Sequence, residues 1–340
     1  MTLVGIIANP SASKDIRRLV AQGRVVPDWE KVNTLRRVLL GLQAVGIGRV
    51  VAMPDSSHLV QRARDDAQLS LDLDLLEMPA FYTEDDTVRA AALMEQMGVG
   101  CLVTLGGDGT NRAVAKGSVS MPMVAISTGT NNVFPTNVEG TLAGLAAGLL
   151  VQGHLDLEQV SVVSKLLEVH VDGEYRDMAL VDVALSRERF VATRAIWDMS
   201  TIFEVFLTRA EPSSIGLSSV GARLQPLSLT DEGGLYYRIG ESAGQDGQGG
   251  REAAANSASV LAPIAPGVVC RVPIACWRPL PIGELSPVEQ RYCTIALDGE
   301  RAFSVTPAQR VEVGVNRNGP PVVQVDAALS QAAELGIFRE

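Results

Sequence analysis

The apolar run Leu102-Val103-Thr104-Leu105 passes straight into Gly106-Gly107-Asp108-Gly109-Thr110, and Asn111-Arg112 follows. No other stretch narrows the fold so far. An apolar run of this length reads as a strand buried on both faces, as in a parallel sheet covered by helices. The glycines allow positive φ and let another molecule's oxygens approach the main chain. Successive N–H groups can form an anion nest, and a following helix adds the positive end of its dipole. Asp108 then stands where a polyphosphate would lie. Its charge is tolerable there only with a metal ion or a substrate hydroxyl in between, which is the arrangement of phosphoryl transfer. A tight strand-to-helix turn with an exposed aspartate is the bland alternative.

The flanking sequence repeats the same grammar. Leu3–Ala8 reads as a buried first strand running into Asn9-Pro10-Ser11-Ala12-Ser13-Lys14, a loop at the carboxyl end of the sheet where ligands bind in open α/β folds. Ser11, Ser13 and Lys14 could reach phosphate oxygens, and Arg17 or Arg18 could add charge. Val32, Leu35, Val38, Leu39 and Leu42 recur at helical spacing. Residues 49–53 read as a second strand, and Ser56-Ser57 as the cap of a helix reaching about residue 68. Residues 71–78 make a further strand, and Thr83 caps a helix over 84–97. Residues 122–126 form another buried strand, ending in Ser127-Thr128-Gly129-Thr130-Asn131-Asn132-Val133-Phe134-Pro135. This second loop of glycine, hydroxyls and amides reads as the other wall of one nucleotide cleft. Strands alternating with helices imply a mostly parallel, Rossmann-like sheet.

From about residue 159 the texture changes to short strands broken by turns. Examples are 160–163, 167–171 before Asp172-Gly173, 179–185, 224–229, 235–239, 259–262, 268–274, 294–297, 302–305 and 311–315. Their spacing suggests an antiparallel β domain. One helix is expected over 191–209, with Ile196, Met199, Ile202, Phe203 and Phe206 on one face. Residues 240–258 are rich in Gly, Gln and Ser and read as an exposed, mobile loop. A strand over 322–325 and a helix over 326–336 close the chain. The expected division is residues 1–152 plus 320–340 as the α/β nucleotide-binding domain and 153–319 as the β domain.

Of the 340 residues, 46% are hydrophobic and 20% charged, as in a globular protein with a sizeable core. The net charge of -10 argues against a nucleic-acid partner. No apolar run reaches the roughly 18 residues of a membrane span, and the amino terminus lacks a signal-peptide pattern. The expected location is cytoplasmic, without membrane association. Cys101, Cys270, Cys276 and Cys293 contain no Cys-x-x-Cys pair and read as buried free thiols.

The Asn9-Pro10 loop, Gly106–Thr110 and Gly129-Thr130-Asn131, in this order and spacing, resemble the superfamily of NAD kinases and diacylglycerol or sphingoid-lipid kinases. Asn9-Pro10 with Lys14-Asp15-Ile16-Arg17-Arg18, and residues 129–135, look closest to the ATP-NAD kinase-like branch that includes acetoin catabolism protein X. The resemblance spans nearly the whole chain. It implies an α/β nucleotide domain followed by an all-β domain, with the carboxyl-terminal segment returning to the first. It implies ATP and Mg²⁺, and a homo-oligomer. Nucleotide contacts would come from Asn9, Pro10, Ser11, Lys14, Gly106, Gly107, Gly109, Thr110, Thr128, Gly129, Thr130, Asn131 and Asn132.

By the same resemblance, Glu300 in Ala296-Leu297-Asp298-Gly299-Glu300 would face Asp108 across an interdomain cleft. One of the two carboxylates would hold Mg²⁺ while the other orients or deprotonates the acceptor hydroxyl. Asp108 is the metal candidate, and which carboxylate is the base stays open. NAD kinases carry Ala-Leu-Asn-Glu/Asp where this chain has Ala179-Leu180-Val181-Asp182. The missing amide weakens NAD recognition, while Asp182 can still contact an acceptor. The Thr-Pro-Thr-Gly segment is absent as well, the nearest stretch being Ser213-Ser214-Ile215-Gly216. The leading expectation is an ATP-dependent kinase acting on a hydroxyl of a small soluble acceptor and linked to acetoin catabolism. The alternatives are NAD kinase proper, a non-catalytic nucleotide-binding regulator and, last, a lipid kinase.

Overall fold

The computed structural model describes all residues except 1, 13, 15–20, 66–68, 130–131, 189–197, 241–257 and 340. The chain forms two compact units. One comprises residues 1–14, 24–164 and 318–340, and the other residues 15–23 and 165–317.

In the first unit, strands and helices alternate: β1 (Leu3–Ala8), α1 (Asp28–Ala44), β2 (Arg49–Ala52), α2 (Leu59–Asp65), β3 (Asp72–Leu75), α3 (Glu84–Gln96), β4 (Cys101–Gly106), α4 (Asp108–Gly117), β5 (Met123–Ser127), α5 (Gly140–Val151), α6 (Leu157–Val160) and β6 (Ser161–Val163). The sheet order is β3-β2-β1-β4-β5, then Pro321–Val323, then β6. Every pair is parallel except the last. Residues 160–163, expected among the antiparallel strands of the second half, instead close this sheet beside the returning carboxyl-terminal segment. Helix Val325–Glu334 ends that segment.

β1 and β4 are buried at every position, as their unbroken apolar runs require. Val32, Leu35, Val38, Leu39 and Leu42 of α1 are buried in the core, as their spacing predicts. α1 and α5 pack with their backbones close together. A Cβ on Gly41 would stand 2.4 Å from the Thr141 carbonyl oxygen, and one on Gly144 2.3 Å from that of Val38. Thr83 is the N-cap of α3, and the Asp86 carboxylate returns to its N–H at 3.3 Å. The cap of α2 is Asp55 rather than Ser56-Ser57, because the Asp55 carboxylate accepts the N–H groups of Ser57 (2.9 Å) and Leu59 (2.9 Å). The Ser57 hydroxyl donates instead to Asp28.

The second unit contains β7 (Leu166–Val171), β8 (Glu174–Ala179), β9 (Asp182–Ser186), β10 (Ile202–Leu207), α7 (Leu217–Ala222), β11 (Gly234–Ile239), β12 (Ala258–Ala265), β13 (Val268–Leu280), β14 (Leu285–Pro287), β15 (Cys293–Leu297), β16 (Glu300–Val305) and β17 (Val311–Asn316). They form two antiparallel sheets, ordered β12-β13-β11-β10-β9-β15-β16 and β14-β17-β7-β8. Leu167, Val169, Val313 and Val315 of the smaller sheet share a core with Phe203, Phe206, Ile295 and Leu297 of the larger. α7 covers the larger sheet's other face through Leu217 and Val220.

Several expectations change here. Within 191–209, residues 191–197 lie outside the described residues and Met199–Thr201 is a single 3₁₀ turn. Ile202–Leu207 is a fully buried strand, so its apolar residues reflect burial on both faces and not one helical stripe. The stretch 179–185 is two strands with a turn at Leu180-Val181. In 224–229 only an isolated bridge between Leu227 and Ala210 forms. The glycine-rich stretch 240–258 lies almost wholly outside the described residues. Among the thiols, Cys101 and Cys293 are buried, Cys270 is half-buried and Cys276 is exposed. Asp172-Gly173 and Asp298-Gly299 are the turns their sequences predict, with positive φ at both residues of each pair.

Candidate active site

The strand order of the first unit reverses between β1 and β4, and in open α/β sheets ligands bind beside such a switch point, outside the carboxyl ends of the strands. Asn9 leaves β1 there, and Gly106–Thr110 leaves β4. The Asn9 N–H bonds the Leu105 carbonyl at 2.9 Å, and its Nδ2 donates to Thr110 Oγ1 at 2.9 Å. Asn9 Oδ1 accepts the Ser11 N–H at 2.8 Å, turning the loop after β1.

The glycines do not work by positive φ, contrary to expectation, and the loop is not a left-handed nest. Gly107 is the extended N-cap of α4, which begins at Asp108. The first-turn N–H groups of Gly109 and Thr110 therefore lack a helical carbonyl. What glycine supplies is space: a Cβ on Gly106 would stand 2.6 Å from Thr110, and one on Gly107 2.9 Å from Asn132 Oδ1. Asn111, beside the loop, fixes it from within. Its Nδ2 donates to the Gly107 carbonyl and its Oδ1 accepts from Thr104 Oγ1.

The loop after β5 is bound to the loop after β4. The Thr128 N–H donates to the Gly106 carbonyl at 3.2 Å. The Asp108 carboxylate accepts the N–H groups of Val133 at 3.0 Å and Phe134 at 2.8 Å. Asn132 Nδ2 donates to Ser127 Oγ at 2.9 Å, and Gly129 lies against the same amide. Thr128 Oγ1 is buried with no hydrogen-bond partner among the described residues, a donor and acceptor without an occupant. Thr130 and Asn131 lie outside the described residues, as do Ser13, Arg17 and Arg18.

A residue with no obvious motif supports this rim. Lys31 is buried, and its Nζ donates to the carbonyls of Asn9 (3.2 Å), Pro10 (2.7 Å) and Ala12 (2.9 Å). Burial pulls its pKa down to about 8, assisted by Lys14 and opposed by Asp28 and Asp55. The sequence carries one hint: Lys31 lies on the α1 stripe of Leu35, Val38 and Leu42. Lys14 pairs with Asp28 at 2.7 Å. That bond holds the Asp28 carboxyl below its usual range, against the opposing effect of burial.

The remaining candidates lie in the second unit. Asp298, at positive φ in the β15–β16 turn, is buried. Its carboxylate accepts the N–H groups of Leu180 (3.1 Å), Val181 (2.7 Å) and Asp182 (3.2 Å). Asp182 Oδ1 accepts the Gly299 N–H at 3.2 Å. Glu300 begins β16 one residue beyond this turn, half-buried. Asp298 was missed in the sequence because Asp-Gly reads as a turn and nothing more.

Residues 4–154 match the family model of the ATP-NAD kinase N-terminal domain, and residues 165–318 that of the acetoin catabolism protein X C-terminal domain. Acetoin catabolism protein X of Cupriavidus necator is 37% identical over 349 residues, covering 99% of this chain and 94% of that protein. The chain belongs to the acetoin catabolism protein X family. Two solved structures of a putative diacylglycerol kinase from Bacillus anthracis str. Sterne are similar with TM-scores of 0.46 at 11% identity. They cover 95% of this chain and 98% and 95% of theirs. A further diacylglycerol kinase structure from that strain gives 0.43 at 12% identity, over 95% of this chain and 96% of that one. In this acetoin catabolism protein X family member, the NAD kinase-like model covers the α/β first unit and the family's own C-terminal model covers the β-rich second unit. Among the described residues no helix is long and apolar enough to cross a membrane.

Proposed function

We propose that the protein is an ATP-dependent kinase that transfers the terminal phosphoryl group to a hydroxyl of a small soluble acceptor. The observation that carries this reading is the junction of three loops at the switch point. Asn9 meets Thr110, Gly106 meets Thr128, and Asp108 meets Val133 and Phe134, around a helix start with open N–H groups. In this reading the first turn of α4 holds phosphate oxygens, with Asn9, Pro10, Ser11 and Lys14 on one side and the 128–132 loop on the other. Thr128 Oγ1, buried and unpartnered among the described residues, fits a polar ligand.

No cluster of three or more acidic, His or Cys side chains that could hold a metal exists among the described residues. Magnesium commonly binds through substrate phosphates and one or two carboxylates, and Asp108 is the carboxylate on this rim. The ion would neutralise charge on the phosphate oxygens. Glu300 is the candidate base for the acceptor hydroxyl.

Val181 argues against NAD as the acceptor. Its side chain is fully buried, and its N–H serves the Asp298 clamp. The stretch that grips dinucleotide in NAD kinases is therefore a structural turn here.

The test is purified protein with ATP, Mg²⁺ and a panel of hydroxyl acceptors that includes NAD, following ATP consumption. Acceptor-dependent turnover that is lost in Asp108→Asn supports the reading. Tight ATP binding without turnover on any acceptor would replace it with the regulator, and formation of NADP would reassign the acceptor.

A further inference from the structure

Two large aromatics stand in water at the edge of the first unit. Phe81 is 68% and Tyr82 61% exposed. They occupy the loop between β3 and α3, at the same carboxyl edge of the parallel sheet as the loops described above. Tyr82 has φ +59°, a conformation that aromatic residues rarely adopt.

The loop is held from below. Asp86, buried, accepts the N–H groups of Phe81 at 2.7 Å and Thr83 at 3.3 Å, and Arg89 Nη1 at 3.0 Å. Burial works against the charge of Asp86, but the N–H groups of Phe81, Thr83 and Tyr82 together with Arg89 outweigh it and hold its pKa below the usual value. Arg89 also donates to the Pro79 carbonyl, and its guanidinium lies 5.9 Å from the Phe81 ring centroid. The backbone thus faces the buried carboxylate, and the two rings remain largely in solvent.

The platform is tied to the Asp108 helix. Glu84, the first residue of α3, pairs at 3.2 Å with Arg112, which is buried one turn after Asp108 in α4. Two helix starts therefore share one ion pair, one carrying Asp108 and the other carrying the exposed rings.

We propose that Phe81 and Tyr82 form the stacking platform for the purine base of the nucleotide. The proposal rests on the phosphotransferase reading above and names the part of ATP that this loop recognises. Aromatic faces bind flat bases without needing a hydrogen-bond code, and a platform fixed in advance loses little entropy on binding. The left-handed Tyr82, the exposed rings and the ion pair that ties their helix to α4 are the observations from which the platform is argued.

Isothermal titration of ATP and of inorganic tripolyphosphate into wild type and the Phe81→Ala/Tyr82→Gly double variant separates the two readings. Glycine suits the φ at position 82, and a thermal melt checks the fold. The expected result is about tenfold or greater loss of ATP affinity with unchanged tripolyphosphate affinity. Phe81→Leu, which keeps apolar bulk without a π face, should fall between. ATP affinity unchanged in the double variant overturns the platform and leaves the phosphotransferase reading standing. Equal losses for both ligands also overturn it, since the phosphate grip would then be the part affected. Wild type that binds neither ligand removes both readings.

Discussion

Asp298 and Asp182 clamp one another's backbone. The Asp298 carboxylate takes the N–H groups of Leu180, Val181 and Asp182, and the Asp182 carboxylate takes that of Gly299. The Asp298 N–H completes the exchange by donating to the Asp182 carbonyl at 2.9 Å. Two turns that are far apart in sequence are thereby fixed as one, with Glu300 at its border.

Removing this clamp should be costly. Asp298→Ala strips the acceptor from three N–H groups in a buried turn, a loss of about 3 kcal/mol. Asp298→Asn, which keeps one acceptor oxygen and tolerates positive φ, should lose less. Urea unfolding of both variants measures the difference, and equal stabilities of Asp298→Ala and wild type would refute the clamp's importance.

The catalytic role proposed for Asp108 and its bonds to the loop after β5 can be separated by substitution. Asp108→Asn retains one acceptor for the loop after β5, so its melting temperature should stay near wild type while turnover drops about 100-fold or more. Asp108→Ala leaves the Val133 and Phe134 N–H groups without that carboxylate and should lower the melting temperature as well. Full turnover in Asp108→Asn would confine the residue to a structural role.

Lys31 and Lys165 set a pH dependence of stability. Lys165 is buried in the second unit, with its Nζ on the carbonyls of Ser228, Asp231 and Gly233. Burial pulls both amines from 10.5 to about 8. Below pH 8 they are protonated in folded and unfolded chains alike. Between about pH 8 and 10.5 the unfolded chain holds more protons, so their contribution to stability rises with pH. The stability of wild type relative to Lys31→Met should therefore rise from pH 7.5 to 10. A gap that stays constant would contradict the lowered amine.

The thiols should separate by burial. Burial raises Cys101 to about 12 and Cys293 to about 11, and raises Cys270 as well. With a thiol reagent at pH 8, exposed Cys276 should react first and Cys270 slowly. Cys101 and Cys293 should react only in denaturant. Fast reaction of Cys101 in the folded protein would show that β4 opens readily.

The parallel half was largely legible from residues 3 to 127 because its strands are continuous apolar runs and its helices keep one stripe. The glycine loop was legible as a strand-to-helix turn but not in its geometry. Glycine can serve by φ or by lack of a side chain, and the sequence does not say which; here Thr110 and Asn132 crowd Gly106 and Gly107. Residues 202–207 read as helix because aromatic and β-branched residues filled both faces. Lys31, Asp86 and Asp298 escaped notice for a common reason. Each bonds to main chain, and main chain has no letter in the sequence.

That last point bears on how the protein can change. Because Asp298 grips peptide N–H groups and not side chains, its bonds do not depend on the identities at positions 180 and 181. Volume is what constrains those positions, since both side chains are fully buried, so apolar residues of similar size can replace one another there while the hairpin that begins at Glu300 keeps its shape.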